Sequence, residues 1–264
     1  MNFPRLTAAL IVVALLVFDG RAARVAGDEV VQLAFDQPDK NGTPQGWKRV
    51  LKEGSGAAKV IGTGQDAELH TETAEGLLRF ERELDLEATA GLRISWEWKV
   101  AEMPETPEFK EWDAGGRKAP YRTNSPIQVL VAFRSGRSVY VMHYIWEPTV
   151  EVGATWYEQE TKYGVVTMKY VRQVLQSGKE RMQEWHPHEQ DVIADFKKLY
   201  PGKKVPRIVM VAIQCTSGYA TGAGARSRAA ITNLRLLQKS SSSPGTDRTG
   251  KAERSAVILP RAGR

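Results

Sequence analysis

Leu92-Arg93-Ile94-Ser95-Trp96-Glu97-Trp98-Lys99-Val100 decides the fold. Leu92, Ile94, Trp96, Trp98 and Val100 alternate without a break with Arg93, Ser95, Glu97 and Lys99. Successive side chains of a strand point to opposite faces, so this segment is a strand with one apolar and one polar side. The apolar side takes both tryptophans into a core. The polar row of Arg93, Glu97 and Lys99 is left for a ligand, a packed neighbour or water.

Outward from it, Leu77 to Leu86 alternates less cleanly and leads in through Ala88-Thr89-Ala90-Gly91, which predicts an antiparallel neighbour of the first strand. Downstream, Ile127, Val129, Val131 and Phe133 alternate with Gln128, Leu130, Ala132 and Arg134. After Ser135-Gly136-Arg137, a glycine-centred turn suited to a hairpin, the alternation resumes. There Val139, Val141, His143 and Ile145 read as the core side, with His143 a hydrogen-bonded buried histidine. Tyr140, Tyr144 and Trp146 then share the opposite face. Shorter strands are predicted near Val30–Phe35, Gly46–Val50, Ala154–Tyr157, Val165–Val171, Arg207–Thr216 and Ala229–Leu237. One helix is predicted over Glu189–Tyr200. Val192, Ile193, Phe196, Leu199 and Tyr200 share a face, acids lie in its first turn, Lys197 and Lys198 in its last, and Pro201-Gly202 stops it. Many short strands with a single amphipathic helix predict a mostly β chain. The expected architecture is a two-sheet antiparallel β-sandwich of the jelly-roll kind, concanavalin-like or galactose-binding-like.

The two ends differ in character from this middle. Arg5, the apolar run Leu6–Phe18 and the small residues around Ala22 and Gly27 predict a secretory signal peptide over residues 1–27. Residues 28–238 form one expected domain, and 239–264, opening on Ser240-Ser241-Ser242-Ser243-Pro244-Gly245, an expected disordered basic tail. The formal charge of +6 belongs to these ends, because charges over residues 28–238 cancel. That removes the electrostatic case for a nucleic-acid partner. No run after the signal is long and apolar enough to span a bilayer, so the expected location is exported, periplasmic or extracellular. The single cysteine, Cys215, permits no intrachain disulfide and sits at the end of an apolar run, as an inert buried thiol would.

The order Trp96-Glu97-Trp98-Lys99-Val100, a proline-rich loop, Val129-Leu130-Val131-Ala132-Phe133 and Tyr144-Ile145-Trp146 resembles a family of exported bacterial proteins. Trp185 with Glu189, Asp191-Val192 and Asp195-Phe196, then Pro206-Arg207-Ile208, continues the likeness. The family is known as domain of unknown function three-zero-four-seven. The resemblance implies a lectin-like or galactose-binding-like jelly roll and carries no activity with it. Where family members follow the strand at Ile208–Ile213 with an acidic Asp-Thr-Asp-type turn, this chain has Cys215-Thr216-Ser217-Gly218-Tyr219. A role for those carboxylates does not transfer.

Sugars need an aromatic plane for the ring face and polar partners for the hydroxyls. By sheet logic Tyr140, Tyr144 and Trp146 could stand beside Gln128 and the row of Arg93, Glu97 and Lys99. Trp112 and Tyr121, from the proline- and glycine-rich excursion Ala101–Ser125, complete the expected ligand-binding set. The rival expectation is that the helix packs over part of this face. The expected partner is a glycan or cell-envelope component, with no cofactor and no metal: His186 and His188 flank a proline in an extended segment, and their rings need not converge. A catalytic alternative is a glycoside hydrolase or polysaccharide lyase with Glu97, or the alternating Glu83, Asp85 and Glu87, as acids. Glu83 and Glu87 stand about 13 Å apart along an ideal strand, against about 5 Å for retaining hydrolysis. Their expected role is the solvated face of a strand end. A structural or partner-binding envelope module is the remaining reading.

Overall fold

In the computed structural model the alternating segment is one strand, Leu92–Glu102, and its apolar residues are all but removed from solvent. The structure describes residues 30–104, 124–157, 161–217 and 225–238. The expected signal, tail, Trp112 and Tyr121 lie outside these residues. In chain order the strands are β1 (Val30–Gln32), β2 (Lys48–Lys52), β3 (Ser55–Ile61), β4 (Glu68–Ala74), β5 (Gly76–Leu86), β6 (Leu92–Glu102), β7 (Ile127–Ser135) and β8 (Ser138–Glu147). Then come β9 (Thr155–Tyr157), β10 (Thr161–Tyr163), β11 (Val166–Ser177), β12 (His186–Asp191), helix α1 (Val192–Leu199), β13 (Arg207–Ser217) and β14 (Arg226–Gln238).

Two sheets form. The six-stranded sheet runs β12-β6-β14-β4-β3 with β1 also on β14; the eight-stranded sheet runs β10-β11-β8-β7-β13-β5-β2 with β9 on β11. The pairs are antiparallel except β11 with β8. This is the mostly β, two-sheet sandwich with one helix that the alternation predicts. One neighbour relation differs from expectation. β5 and β6 lie in different sheets, so Glu87–Gly91 crosses the sandwich instead of turning back within one sheet. Both strands then place their apolar sides on the shared interior, which a pair within one sheet would also do. Alternation cannot tell the two arrangements apart.

The interior is held by aromatic residues of both sheets. Trp96 and Trp98 meet edge-on at 5.3 Å, Trp98 lies 6.3 Å from Trp146, and Trp96 lies 5.6 Å from Tyr144. Such ring pairs add about 0.5–1.5 kcal/mol each beyond the area they bury. Helix α1 plugs the sandwich beside them. Phe196 meets Phe133 at 4.7 Å and Tyr140 at 5.5 Å, and the Tyr144 hydroxyl donates to Asp195 Oδ2 at 2.8 Å. The helix is shorter than predicted because Glu189–Asp191 belong to β12. Asp191 is its N-cap, accepting from the backbone N–H of Ile193 and Ala194.

These contacts correct the face assignment of β8. Tyr140, Met142, Tyr144 and Trp146 point into the sandwich, opposite Phe133, Val131, Val129 and Ile127 of β7. Val139, Val141, His143 and Ile145 point away from it, beside Leu130 and Gln128. Both rows are apolar enough to be core, and the larger rings went where two sheets and a helix could cover them. Cys215 is fully buried between the sheets, its thiol 3.2 Å from Ser227 Oγ and held above the ordinary thiol range by burial.

Candidate functional site

The residues expected to form one ligand surface are divided among three places. Tyr140, Tyr144 and Trp146 are core, at 7%, 0% and 0% exposure, and line no surface; the helix expected as their rival cover packs on Tyr140 and Tyr144, while Trp98 and His186 pack on Trp146. Gln128 lies on the outer face of the eight-stranded sheet and is itself buried. Arg93, Glu97 and Lys99 lie on the outer face of the six-stranded sheet, as the alternation requires. Glu83, Asp85 and Glu87 are exposed at the end of β5, Asp85 pairing with Arg207 at 2.6 Å, as a solvated strand end should be.

Around Glu97 the structure forms an open depression of about 250 Å³, lined among others by Ser95, Glu97, His188, Glu189, Asn233 and Arg235. Three strands build it. β6 supplies Ser95 and Glu97 from its polar row. Edge strand β12 supplies Glu189, whose carboxylate pairs with Arg93 at 2.9 Å. β14 supplies Asn233 and Arg235 through an irregularity: its register against β6 slips between Thr232 and Arg235. Asn233 takes a φ of 54°, left-handed backbone that asparagine tolerates better than most residues. Such a bulge re-aims side chains. Here it brings Asn233 Nδ2 to within 2.9 Å of Glu97 Oε1, where it donates. Arg235 Nε donates to Ser95 Oγ at 3.1 Å. Lys99 sits 4.5 Å over the half-buried ring of Trp185, which precedes β12 on the same edge.

His188 belongs to the same edge but its ring stacks on Trp96 at 5.4 Å and meets Trp98 at 4.8 Å. Burial, with His186 beside it, lowers its pKa to about 4. The imidazole is therefore neutral, and its Nε2, like Trp96 Nε1, has no hydrogen-bond partner. His186 Nε2 lies 2.9 Å from the Arg181 carbonyl, and among the described residues no group of three or more His, Cys, Asp or Glu is placed to hold an ion.

Sequence reasoning found Arg93, Glu97 and Lys99 but missed Trp185, Glu189, Asn233 and Arg235. A signal for the last two was present. Ala229 and Ile231 face the core, then Leu234 and Leu236 do, so the apolar period changes parity between 231 and 234. Only an inserted residue does that.

The outer face of the eight-stranded sheet carries an apolar cluster of Leu130, Ala132, Val141 and Ala212, with buried polar residues beside it. Gln128, His143, Glu147, Gln214 and Thr216 are each no more than 5% exposed. His143 Nδ1 is 3.0 Å from Gln128 Oε1, and Arg172 reaches the same oxygen at 3.3 Å. Burial, then the positive charges of Arg172 and Arg79, hold the His143 pKa well below the ordinary histidine value. Burial raises Glu147 to about 7 although Arg172 pulls the other way.

No helix among the described residues is long and apolar enough to cross a membrane. No curated protein matches the chain. Solved structures similar to it include the family 11 carbohydrate-binding module of the cellulosomal cellulase Lic26A-Cel5E of Clostridium thermocellum. It is 10% identical, with a TM-score of 0.41 over 81% of this chain and 97% of that one. The family 12 xyloglucanase of Bacillus licheniformis is 7% identical, with a TM-score of 0.45 over 80% of this chain and 100% of that one. The family 11 xylanase of Neocallimastix patriciarum is 14% identical, with a TM-score of 0.45 over 80% and 100%. At such scores these likenesses assign no ligand to this chain. The model of a family described as protein of unknown function (DUF3047) matches residues 54–231, two-thirds of the sequence and most of both sheets, and the chain belongs to that family.

Proposed function

We propose that the protein is an exported, non-catalytic module that binds a glycan or a related cell-envelope component in the depression at the edge of the six-stranded sheet. The observation that carries this reading is the convergence, in one open concavity, of Glu97, Asn233, Ser95 and Arg235 next to the half-buried ring of Trp185. A sugar hydroxyl is donor and acceptor at once, and it meets both here: the Glu97 carboxylate accepts, the Arg235 guanidinium donates, and the Asn233 amide and Ser95 hydroxyl do either. At about 250 Å³ the depression suits a single sugar unit; pockets that bury a whole small ligand run from about 300 Å³. The rest of a longer glycan would lie across the sheet edge toward Trp185 and Lys99.

Hydrolysis is the second reading, and one observation favours it. Glu97 and Glu189 are diagonal neighbours on adjacent strands, Glu97 opposite Pro187 and Glu189 opposite Ser95. Diagonal positions are about 7–8 Å apart, within the span of an inverting pair. Against it, the carboxyls with raised proton affinity, as a general acid needs, are Glu147 and Asp195, and neither lines the depression.

Screening the full chain on a glycan array tests the binding reading. Affinity for the retained glycan should fall at least tenfold in Glu97→Gln and in Asn233→Gly, with melting temperature nearly unchanged. Retention of no glycan, or equal affinity in both variants, would count against it. Reducing ends released from a polysaccharide panel, with the release lost in Glu97→Gln, would establish the hydrolase instead.

A further inference from the structure

A second, smaller depression adjoins the first on the far side of the β14 bulge. Its volume is about 20 Å³, and it is lined among others by Gln32, Phe35, Gln65, Asn233 and Arg235. Asn233 and Arg235 also line the depression beside Glu97, so the bulge is the wall between the two. Strand register aligns the residues on either side. Glu189 stands opposite Ser95, Ser95 opposite Arg235, and Arg235 opposite Gln32. These positions form one row across β12, β6, β14 and β1, about 14 Å long at the usual spacing between strands. Gln65 stands at the end of the row, on the short helical turn Gly64–Asp66. That turn is tied on both sides: the Gly64 N–H donates to Asp36 Oδ1 at 2.7 Å, and Thr232 Oγ1 of β14 donates to the Ala67 carbonyl at 3.1 Å. Three separate stretches of chain thus hold Gln32, Gln65 and Asn233 around one small space in advance of any ligand.

We propose that the ligand of the Glu97 depression is a neutral, linear oligosaccharide that crosses the bulge and seats one hydroxyl-bearing substituent between Gln32 and Gln65. This rests on the glycan reading of that depression, and it extends the ligand's path on the side away from Trp185 and Lys99. A space of about 20 Å³ admits one water-sized group and no sugar ring. The row is longer than one ring, so a ring seated beside Glu97 reaches the smaller space through a further unit of the same chain. Gln32, Gln65 and Asn233 are primary amides, each able to donate and to accept, as a sugar hydroxyl is. The charges along the path offset one another. Arg93 pairs with Glu189 at 2.9 Å, and Lys99 lies over the Trp185 ring. Arg235 and Glu97 are of opposite sign in the larger depression, and Asp36 and Asp66 flank the smaller one. An acidic glycan meets no excess of positive charge here, whereas a neutral one needs none.

Isothermal titration of the full chain with cello-, xylo- and manno-oligosaccharides of one to four units, against galacturonate oligomers of equal length, tests the proposal. At least one neutral series should bind more tightly as it lengthens, and more tightly than the acidic series. Gln32→Ala and Gln65→Ala, both at exposed positions, should each lose about fivefold for the longest member, the worth of one hydrogen bond. Both should leave the shortest member that binds within about twofold of wild type. No neutral series bound, no gain with length, tighter binding of the acidic series, or a gain that survives in both glutamine variants would overturn it. Glu97→Gln separates this failure from that of the glycan reading. Affinity lost in Glu97→Gln and kept in Gln32→Ala and Gln65→Ala would retain the depression and overturn only the crossing. Affinity unchanged in Glu97→Gln would remove the depression, and the crossing with it.

Discussion

Replacing Glu147 by glutamine should make the protein more stable, and only at high pH. Glu147 is 1% exposed at the end of β8, and burial raises its pKa from 4.5 to about 7, outweighing the pull of Arg172. In the unfolded chain the carboxyl returns to an ordinary value. Between pH 4.5 and about 7 the folded state therefore holds a proton that the unfolded state has released. Stability from this group is fully present below pH 4.5 and is lost as pH rises through 7. The interval corresponds to about 3 kcal/mol at pH 8. Glutamine is neutral and similar in shape, so it removes the pH-dependent part and keeps any cost of an unpartnered polar atom at every pH. The variant should match wild type within about 0.5 kcal/mol at pH 4.5 and exceed it by up to about 3 kcal/mol at pH 8, about 6–12 °C in melting temperature for a domain of this size. Urea titration at both pH values, with the m-value checked for constancy, measures it. A difference between variant and wild type that is the same at pH 4.5 and pH 8 would refute the reasoning, because it would mean that folding leaves the Glu147 carboxyl at its unfolded-chain pKa.

His188 predicts the opposite slope. Its pKa is lowered to about 4, so its stabilisation is complete above pH 6.5 and lost as pH falls through 4. His188→Phe should flatten that acid limb by at most about 2 kcal/mol, allowing for its partial exposure, in denaturation at pH 4 and 7. Trp98→Ala removes a fully buried ring that meets Trp96, Trp146 and His188; it should cost about 3–5 kcal/mol in urea unfolding, and a cost under 1 kcal/mol would remove these rings from the core. Asp191→Ala deletes the cap of α1 and should cost about 1 kcal/mol, with Asp191→Asn recovering most of it. Asn233→Gly keeps the left-handed backbone and should leave stability within about 0.5 kcal/mol of wild type, whereas Asn233→Val should cost at least about 1 kcal/mol.

The class of fold was legible because it needs only the period of two. Trp96-Glu97-Trp98-Lys99-Val100 states which residues are buried together, and the structure buries them. Assigning faces to β8 needed more. Val139, Val141 and Ile145 compete with Tyr140, Met142, Tyr144 and Trp146 for the interior, and both rows end up covered. Hydrophobicity ranks the two sides almost equally there. What decides is ring volume facing ring volume across the sandwich, a property of the opposing sheet and of α1 that no single strand encodes. Placing β5 beside β6 failed for a related reason, since a crossing between sheets and a return within one present the same alternation.

The candidate site was half legible for a different reason. Glu97 was readable because it breaks no rule: it is the polar partner of two buried tryptophans. Asn233 was not, because its position depends on a rule being broken. An unbroken β14 would carry Ile231, Asn233 and Arg235 on one side, and the amide would be buried with Ile231 against Trp98. The extra residue at 232–233 reverses the parity, keeps Leu234 and Leu236 inside, and turns Asn233 and Arg235 out beside Glu97 and Ser95. An isolated polar residue on a strand face has the solvent as a sufficient partner. Two strands that put a carboxylate and an amide 2.9 Å apart by inserting a residue have lost ladder hydrogen bonds to do so. That local loss, borne by the strand at the centre of its sheet, is why the depression beside Glu97, and not the intact polar row of β6 alone, is the place on the open face to look for a ligand.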